Sequence, residues 1–161
     1  DALIKLTKSS VIETIIEDHE IHISQTAYTE TVIQGKKHLY EDAYTIDRII
    51  KNSRIKTTKA FKNRKANTQL IGCSHLGPGE KTTLHLFHQI SADAIVSDDQ
   101  AFLRILYSKN IPSIIPSDLI AQLTHTRTMD KTQALKALEN MRPFIQEANY
   151  LKAKNKINKK S

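Results

Sequence analysis

The sequence predicts an α/β domain with parallel strand pairing, on three observations. Hydrophobic spacing alternates between the helical period and short apolar runs of the kind that form buried strands. From Ala94 onward the order is strand, helix, strand, helix, which implies parallel pairing through right-handed crossovers. At 161 residues, 39% hydrophobic and 25% charged, the chain is long enough to bury a core and too apolar for disorder.

Each element has its own signal. Ala2 to Ile16 carries Leu3, Leu6, Ile12 and Ile16 at helical spacing, with a break near Ser9 and Ser10. Ile21 and Ile23 alternate around His22 as a short strand. A helix is expected over Ala27 to Gln34 and should stop at Gly35, because glycine accepts the left-handed conformation that ends helices. Tyr40 to Asn52 reads as another helix, with Ala43, Ile46, Ile49 and Ile50 on one side. Ile55, Thr57 and Thr58 suggest an extended piece inside a strongly basic stretch, Lys51 to Lys65. Leu76-Gly77-Pro78-Gly79-Glu80 is a loop feeding a helix to about Ile90, with Leu84, Phe87 and Ile90 buried.

Ala94, Ile95 and Val96 form a short buried strand of the parallel type. It ends at Ser97-Asp98-Asp99, where a helix carrying Phe102, Ile105 and Leu106 begins. Ile111 to Ile115 is a strand, and Pro116-Ser117-Asp118 opens a helix through Leu119, Ile120 and Leu123. Met129 to Met141 and Phe144 to Lys154 are the last two helices. Residues 1–151 are expected to form one domain and residues 152–161 a basic tail, whose Lys152, Lys154, Lys156, Lys159 and Lys160 should fray into solvent.

Charge narrows the function. Lys and Arg number 24 against 17 Asp and Glu, a net charge of +7 that favours a polyanionic partner, nucleic acid above all. Aromatics are 6% and Trp is absent, which argues against a platform that stacks many bases. One Cys cannot form an internal disulfide, and a reducing, cytoplasmic compartment is expected. No apolar run approaches the roughly 20 residues of a membrane span. Lys51, Arg54, Lys56, Lys59, Lys62, Arg64 and Lys65 are the best local candidates for phosphate contact. The competing role for them is a solvated surface strand whose charges discourage edge pairing.

Certain acidic residues stand where ligands bind in α/β folds. Asp98 and Asp99 lie beyond the carboxyl end of a strand, Glu80 in the first turn of a helix, and Glu30 in the helix that follows a strand. Asp1 directly precedes an apolar helix. Each also has an ordinary role open to it, such as helix capping by Asp98 or Asp99. The His19–His22 and His85–His88 pairs lack the companion ligands of a zinc motif, and His85 and His88 are expected on the outer face of the Glu80 helix. Cys73-Ser74-His75 lacks an orienting acid for nucleophilic catalysis, and Gly77-Pro78-Gly79 lacks the Gly-Lys-Ser/Thr ending of a phosphate-binding loop.

The stretches Leu76 to Glu80, Ala94 to Phe102 and Ile111 to Leu119, with Asp1 to Leu6 and Thr29-Glu30-Thr31-Val32, together resemble PIN-domain nucleases over nearly the whole chain. The similarity is strongest to the prokaryotic, VapC-toxin-like branch with a Gly-Glu third motif. The resemblance implies a three-layer α/β/α domain around a central, mostly parallel sheet. It implies carboxylates that bind Mg²⁺ or Mn²⁺, hard cations that take oxygen ligands. Glu30, Glu80 and one of Asp98 or Asp99 match the second, third and fourth acidic positions; Asp99 places Phe102 at the family's aromatic position three residues later. Asp1 matches a position just after the family's first catalytic aspartate, which this register places before Asp1, and Asp1 is a further metal-ligand candidate. The implied activity is metal-dependent endoribonuclease cleavage of single-stranded RNA. A homodimer and a small antitoxin partner are implied with it. The alternative is a catalytically weak or inactive PIN-like module that binds RNA or protein.

Overall fold

Two serines divide the N-terminal apolar stretch. In the computed structural model, which describes residues 1–52 and 55–159, helices α1 (Ala2–Lys8) and α2 (Ile12–Asp18) flank Ser10, whose φ of 58° is left-handed. Strand β1 (His22–Ser24) follows and runs directly into α3 (Gln25–Tyr28). The helix does not stop at Gly35. It widens into a π-helical segment, Thr29–Gln34, and continues as α4 (Gly35–Lys37), with Gly35 itself helical at φ −57°. The left-handed turn comes later, at Leu39 with φ 60°. Gly35 is required for a different reason: a Cβ there would stand 2.7 Å from the Ala43 Cβ of α5 (Glu41–Asn52).

Strand β2 (Lys56–Thr58) leads to a helix the hydrophobic pattern does not announce, α6 (Arg64–Gln69), which begins where the Asn63 side chain accepts from the Lys65 and Ala66 amides. Pro78 starts α7 (Pro78–Ile90) at a position where a missing N–H costs nothing. Leu84 and Leu86 are its buried residues, whereas Phe87 and Ile90 are only partly covered. Strand β3 (Ile95–Val96), α8 (Gln100–Ser108), β4 (Ser113–Ile114) and α9 (Pro116–His125) follow in the expected order. An Asp130–Gln133 capping box opens α10 (Lys131–Met141), and a single 3₁₀ turn precedes α11 (Glu147–Asn158).

The α/β class and the parallel pairing hold, and helices dominate. Among the described residues the strands form two separate parallel ladders, β1 with β2 (His22 opposite Lys56) and β3 with β4 (Ile95 opposite Ser113). Strands of two or three residues have too few backbone groups to extend further, so helix packing carries the fold. One core gathers α1, α2 and α9 to α11 around Ile12, Ile120, Leu138 and Met141. A second gathers α6, α7, β3 and α8 around Leu84, Phe102 and Leu106.

The C-terminal lysines correct the expectation of a frayed tail. Residues 152 to 158 belong to α11, which buries Ala153 and Ile157 against the first core. Lys152 and Lys156 both reach Asp118 of α9, at 3.2 Å and 3.0 Å. An amphipathic face thus overrides the lysine-rich composition. Lys160 lies outside the described residues. No helix among the described residues is long and apolar enough to cross a membrane.

Gly35→Ala offers a test of the packing. Alanine is favoured by roughly 1 kcal/mol over glycine inside a helix, but here its methyl meets another Cβ that cannot swing away. The expected result is destabilisation by about 1–3 kcal/mol in urea unfolding; a stabilised variant would show that α4 and α5 are not this close.

Candidate functional site

The start of α7 is built to receive negative charge. Its first amide groups have no partner within the helix, and the helix dipole adds positive potential there. Glu80 folds back so that its Oε2 lies 2.6 Å from where a Cβ on Gly77 would stand. Glu30, arriving from the π-helical segment, presses its carboxylate against Gly79 in the same way. Two acidic side chains fifty positions apart therefore share the first turn of one helix. Both approaches depend on glycine.

A hydroxyl relay sets this geometry. Thr82 Oγ1 lies 2.9 Å from the Pro78 carbonyl and 3.1 Å from that of Gly79, so its proton is given to the α7 backbone. The Ser24 hydroxyl then donates to Thr82 across 3.0 Å, while its oxygen accepts from the Ala27 amide and caps α3. The end of β1 is thereby fastened to the first turn of α7. Glu30 sits a turn and a half further along the same helical run. Its π-helical setting is a rare geometry that is frequent at functional sites.

The far side of that run rests on a buried acid absent from the sequence-derived candidates. Asp47 of α5 is 4% exposed. Tyr28 Oη donates to its Oδ1 at 2.7 Å, and Lys36 and Lys51 both bind its Oδ2, Lys51 at 2.8 Å. Lys36, then Lys51 and Tyr28, hold the Asp47 carboxyl well below the usual carboxylate range. The same hydrogen bond raises the Tyr28 phenol, and Asp47 raises Lys51.

Asp98 and Asp99 separate into two roles. Asp99 caps α8, accepting the Phe102 amide at 2.7 Å, so the aromatic register marks a helix cap. Asp98 turns the other way and forms an ion pair with Lys5 of α1. Its other oxygen, Oδ1, is buried with no hydrogen-bond partner among the described residues. Lys5 also holds the exposed Asp1 carboxylate at 3.1 Å. Desolvation lowers the pKa of Lys5. The main-chain nitrogen of Asp1 is buried within electrostatic range of Lys5, Glu30 and Glu80. The beginning of α1 therefore joins the Asp98 side of the site to the Glu30–Glu80 side. Asp1, Lys5, Asp98 and the buried Ser117 open onto a cleft of about 620 Å³.

The donor chemistry suits a hard divalent cation, since Glu30, Glu80 and Asp98 offer only oxygen and Asp98 Oδ1 is a buried acceptor with no donor among the described residues. Among the described residues no three His, Cys, Asp or Glu side chains close on a single point as they stand. Lys5 is the cation that faces Asp98 instead. The Asp1 carboxylate is paired to Lys5 and largely in solvent. Lys5 is the residue of this site that sequence reading missed; its i,i+4 spacing from Asp1 announces one partner, but Asp98 is 93 positions away.

The basic stretch divides similarly. Lys51 serves Asp47 and Lys56 binds Glu20 at 2.7 Å, which leaves Lys59, Lys62, Arg64 and Lys65 as exposed cations around the start of α6. Arg54 lies outside the described residues. His85 and His88 do not face outward. The His85 ring accepts the Asn63 amide and His88 meets Gln69, so both are half-covered by residues 63–69. Burial lowers both imidazoles, helped by Lys62 at His85 and by Lys65 at His88. His22 is occupied by Glu20 and Thr58, and Cys73 is buried.

Residues 1–159 match the family model for a PIN domain (DUF3368). No curated protein and no solved structure matches the chain.

Asp47 gives the site's scaffold a pH signature. Because its folded pKa is depressed, its contribution is complete above the unfolded Asp pKa of about 3.9 and is lost as pH falls toward the folded value. Asp47→Asn is expected to lower the unfolding midpoint at pH 7 and to flatten its fall between pH 5 and pH 2. Parallel acid-unfolding curves for the two proteins would contradict this.

Proposed function

The chain belongs to the PIN-domain family, whose members are typically nucleases that use divalent metals, and we propose that it is a divalent-metal-dependent endoribonuclease acting on single-stranded RNA. The observation that carries this is the meeting of Glu30 and Glu80 over the first turn of α7, with Asp98 reached through Lys5 and the start of α1. Glu30, Glu80 and Asp98 would hold Mg²⁺ or Mn²⁺, which when bound supplies a Lewis acid that acidifies water and neutralises charge on a phosphate.

The chain's own residues do the remaining work. Gly77 and Gly79 make room for the two glutamates, and the α7 amides and helix dipole offset their negative charge. Ser24 and Thr82 fix the distance between the two helices that carry them. Lys5 orients Asp98 through their ion pair. Lys59, Lys62, Arg64 and Lys65 attract phosphate. RNA with an unpaired backbone suits a small acidic site rimmed by such cations, because the deep groove of an RNA duplex keeps side chains out. The motif pattern further supports a toxin-like role in the cytoplasm, with a homodimer and a small antitoxin partner. The second reading, a weak module that binds RNA or protein, draws on one observation: Lys5 already occupies Asp98.

Cleavage of a labelled single-stranded RNA separates these. Glu80→Gln and Asp98→Asn should each reduce Mn²⁺-dependent cleavage by at least about 100-fold with melting temperatures little changed, and EDTA should abolish it. Asp99→Asn should cleave like the unmodified protein, since asparagine caps a helix as well as aspartate does. RNA binding without any Mn²⁺-dependent cleavage would establish the second reading.

A further inference from the structure

Phe61 is 62% exposed, a large apolar ring standing in solvent on a short loop between β2 and α6. An exposed aromatic on a loose loop would mean little, but this loop is strapped down. Gln89 of α7 reaches it twice: its Oε1 accepts the Phe61 amide at 2.8 Å, and its Nε2 donates to the Lys59 carbonyl at 3.2 Å. One helix turn earlier, His85 accepts the Asn63 amide at 3.0 Å. Asn63 in turn spends its side chain capping α6. Three hydrogen bonds from two α7 side chains thus fix the backbone on both sides of Phe61, while the ring is left uncovered.

The surroundings select the partner. Lys59 lies with its ammonium 6.0 Å from the ring centroid, and Lys62, Arg64 and Lys65 are exposed within four positions of it. A second copy of this surface would bring like charges together, and a purely apolar partner would have to strip water from those cations. An unpaired nucleotide satisfies both features at once, since its base has a π-face for the ring and its phosphates neutralise the cations. A double helix does not, because its bases are already stacked.

We propose that the loop Lys59 to Asn63 is a binding surface for single-stranded RNA in which Phe61 stacks on one base and Lys59, Lys62, Arg64 and Lys65 hold the flanking phosphates. This rests on the RNA substrate proposed above and adds where the strand is gripped. Gln89 is nine residues beyond Glu80 on α7, so at 1.5 Å per residue the loop is about 13 Å along that helix from the acidic site. That is about four nucleotides at a stacked spacing of roughly 3.4 Å, and fewer if the strand is extended. The grip therefore lies within a short oligonucleotide's length of the carboxylates. One ring for one base also agrees with a chain that has only four Phe and no Trp.

The absence of Trp supplies the test. Phe61→Trp places a single indole at the ring's position, and stacking on a base quenches its fluorescence. The full chain, in EDTA to prevent cleavage, is titrated with a labelled eight-nucleotide single-stranded RNA and, separately, with a blunt duplex of the same sequence. Phe61→Trp is expected to bind the single strand as tightly as the unmodified protein and to lose at least half its emission, with little loss on the duplex. Phe61→Ala is expected to bind about tenfold more weakly by fluorescence anisotropy, with an unchanged melting temperature. Unaltered binding by Phe61→Ala, or Phe61→Trp that binds without quenching, would overturn this surface and leave the RNA substrate standing. If the unmodified protein fails to bind the single strand, the substrate and the surface fall together.

Discussion

Glu30 and Glu80 can lie over one helical turn only because positions 77 and 79 have no side chain. A Cβ at either glycine would occupy space now filled by carboxylate oxygen. The same Gly-Pro-Gly run starts α7, so the amides and dipole that offset the two charges come from the residues that make room for them. Steric vacancy and electrostatic compensation are thus coupled in four consecutive residues, and the hydroxyl pair Ser24–Thr82 brings the second acid to the place they prepare.

Like charges gathered in a partly buried place must be compensated, and two different solutions stand side by side. Under the Glu30 helix, Asp47 is fully served by two lysines and a tyrosine, which makes it a permanent structural ion cluster. Across the site, Asp98 is served on one oxygen only, by a lysine that also holds Asp1. A closed cluster of the first kind resists change, because removing one partner leaves buried charge behind. The open one retains an acceptor for a further cation. That contrast sets the scaffold acid Asp47 apart from Asp98, the acid proposed to hold metal, although both are acids with lysine neighbours.

Much of the helix order was legible because amphipathic spacing and helix-start residues are local signals. The break at Ser9–Ser10, the Pro78 start of α7 and the run from β3 to α9 all come from that kind of information. The glycine at 35 misled for a physical reason: a terminator's conformational freedom and a packing residue's small size look alike in sequence, and here size is what Ala43 demands. The C-terminal lysines misled because their count outweighed the spacing of Tyr150, Ala153 and Ile157, which face the core. Asp98 and Asp99 are neighbours in sequence, so only the backbone direction at the end of β3 separates the cap from the lysine-bound acid. Lys5, Asp47 and the Gln89 strap were hidden because each depends on contacts between residues distant along the chain.

The central claim is that Glu30, Glu80 and Asp98 serve one cation. Crystals soaked in Mn²⁺ and measured at a wavelength where manganese scatters anomalously address it directly. The expected result is one anomalous peak within ligand distance of all three carboxylates, with Lys5 withdrawn from Asp98. A peak elsewhere, or Lys5 still bound to Asp98 with no ion between the acids, would contradict it.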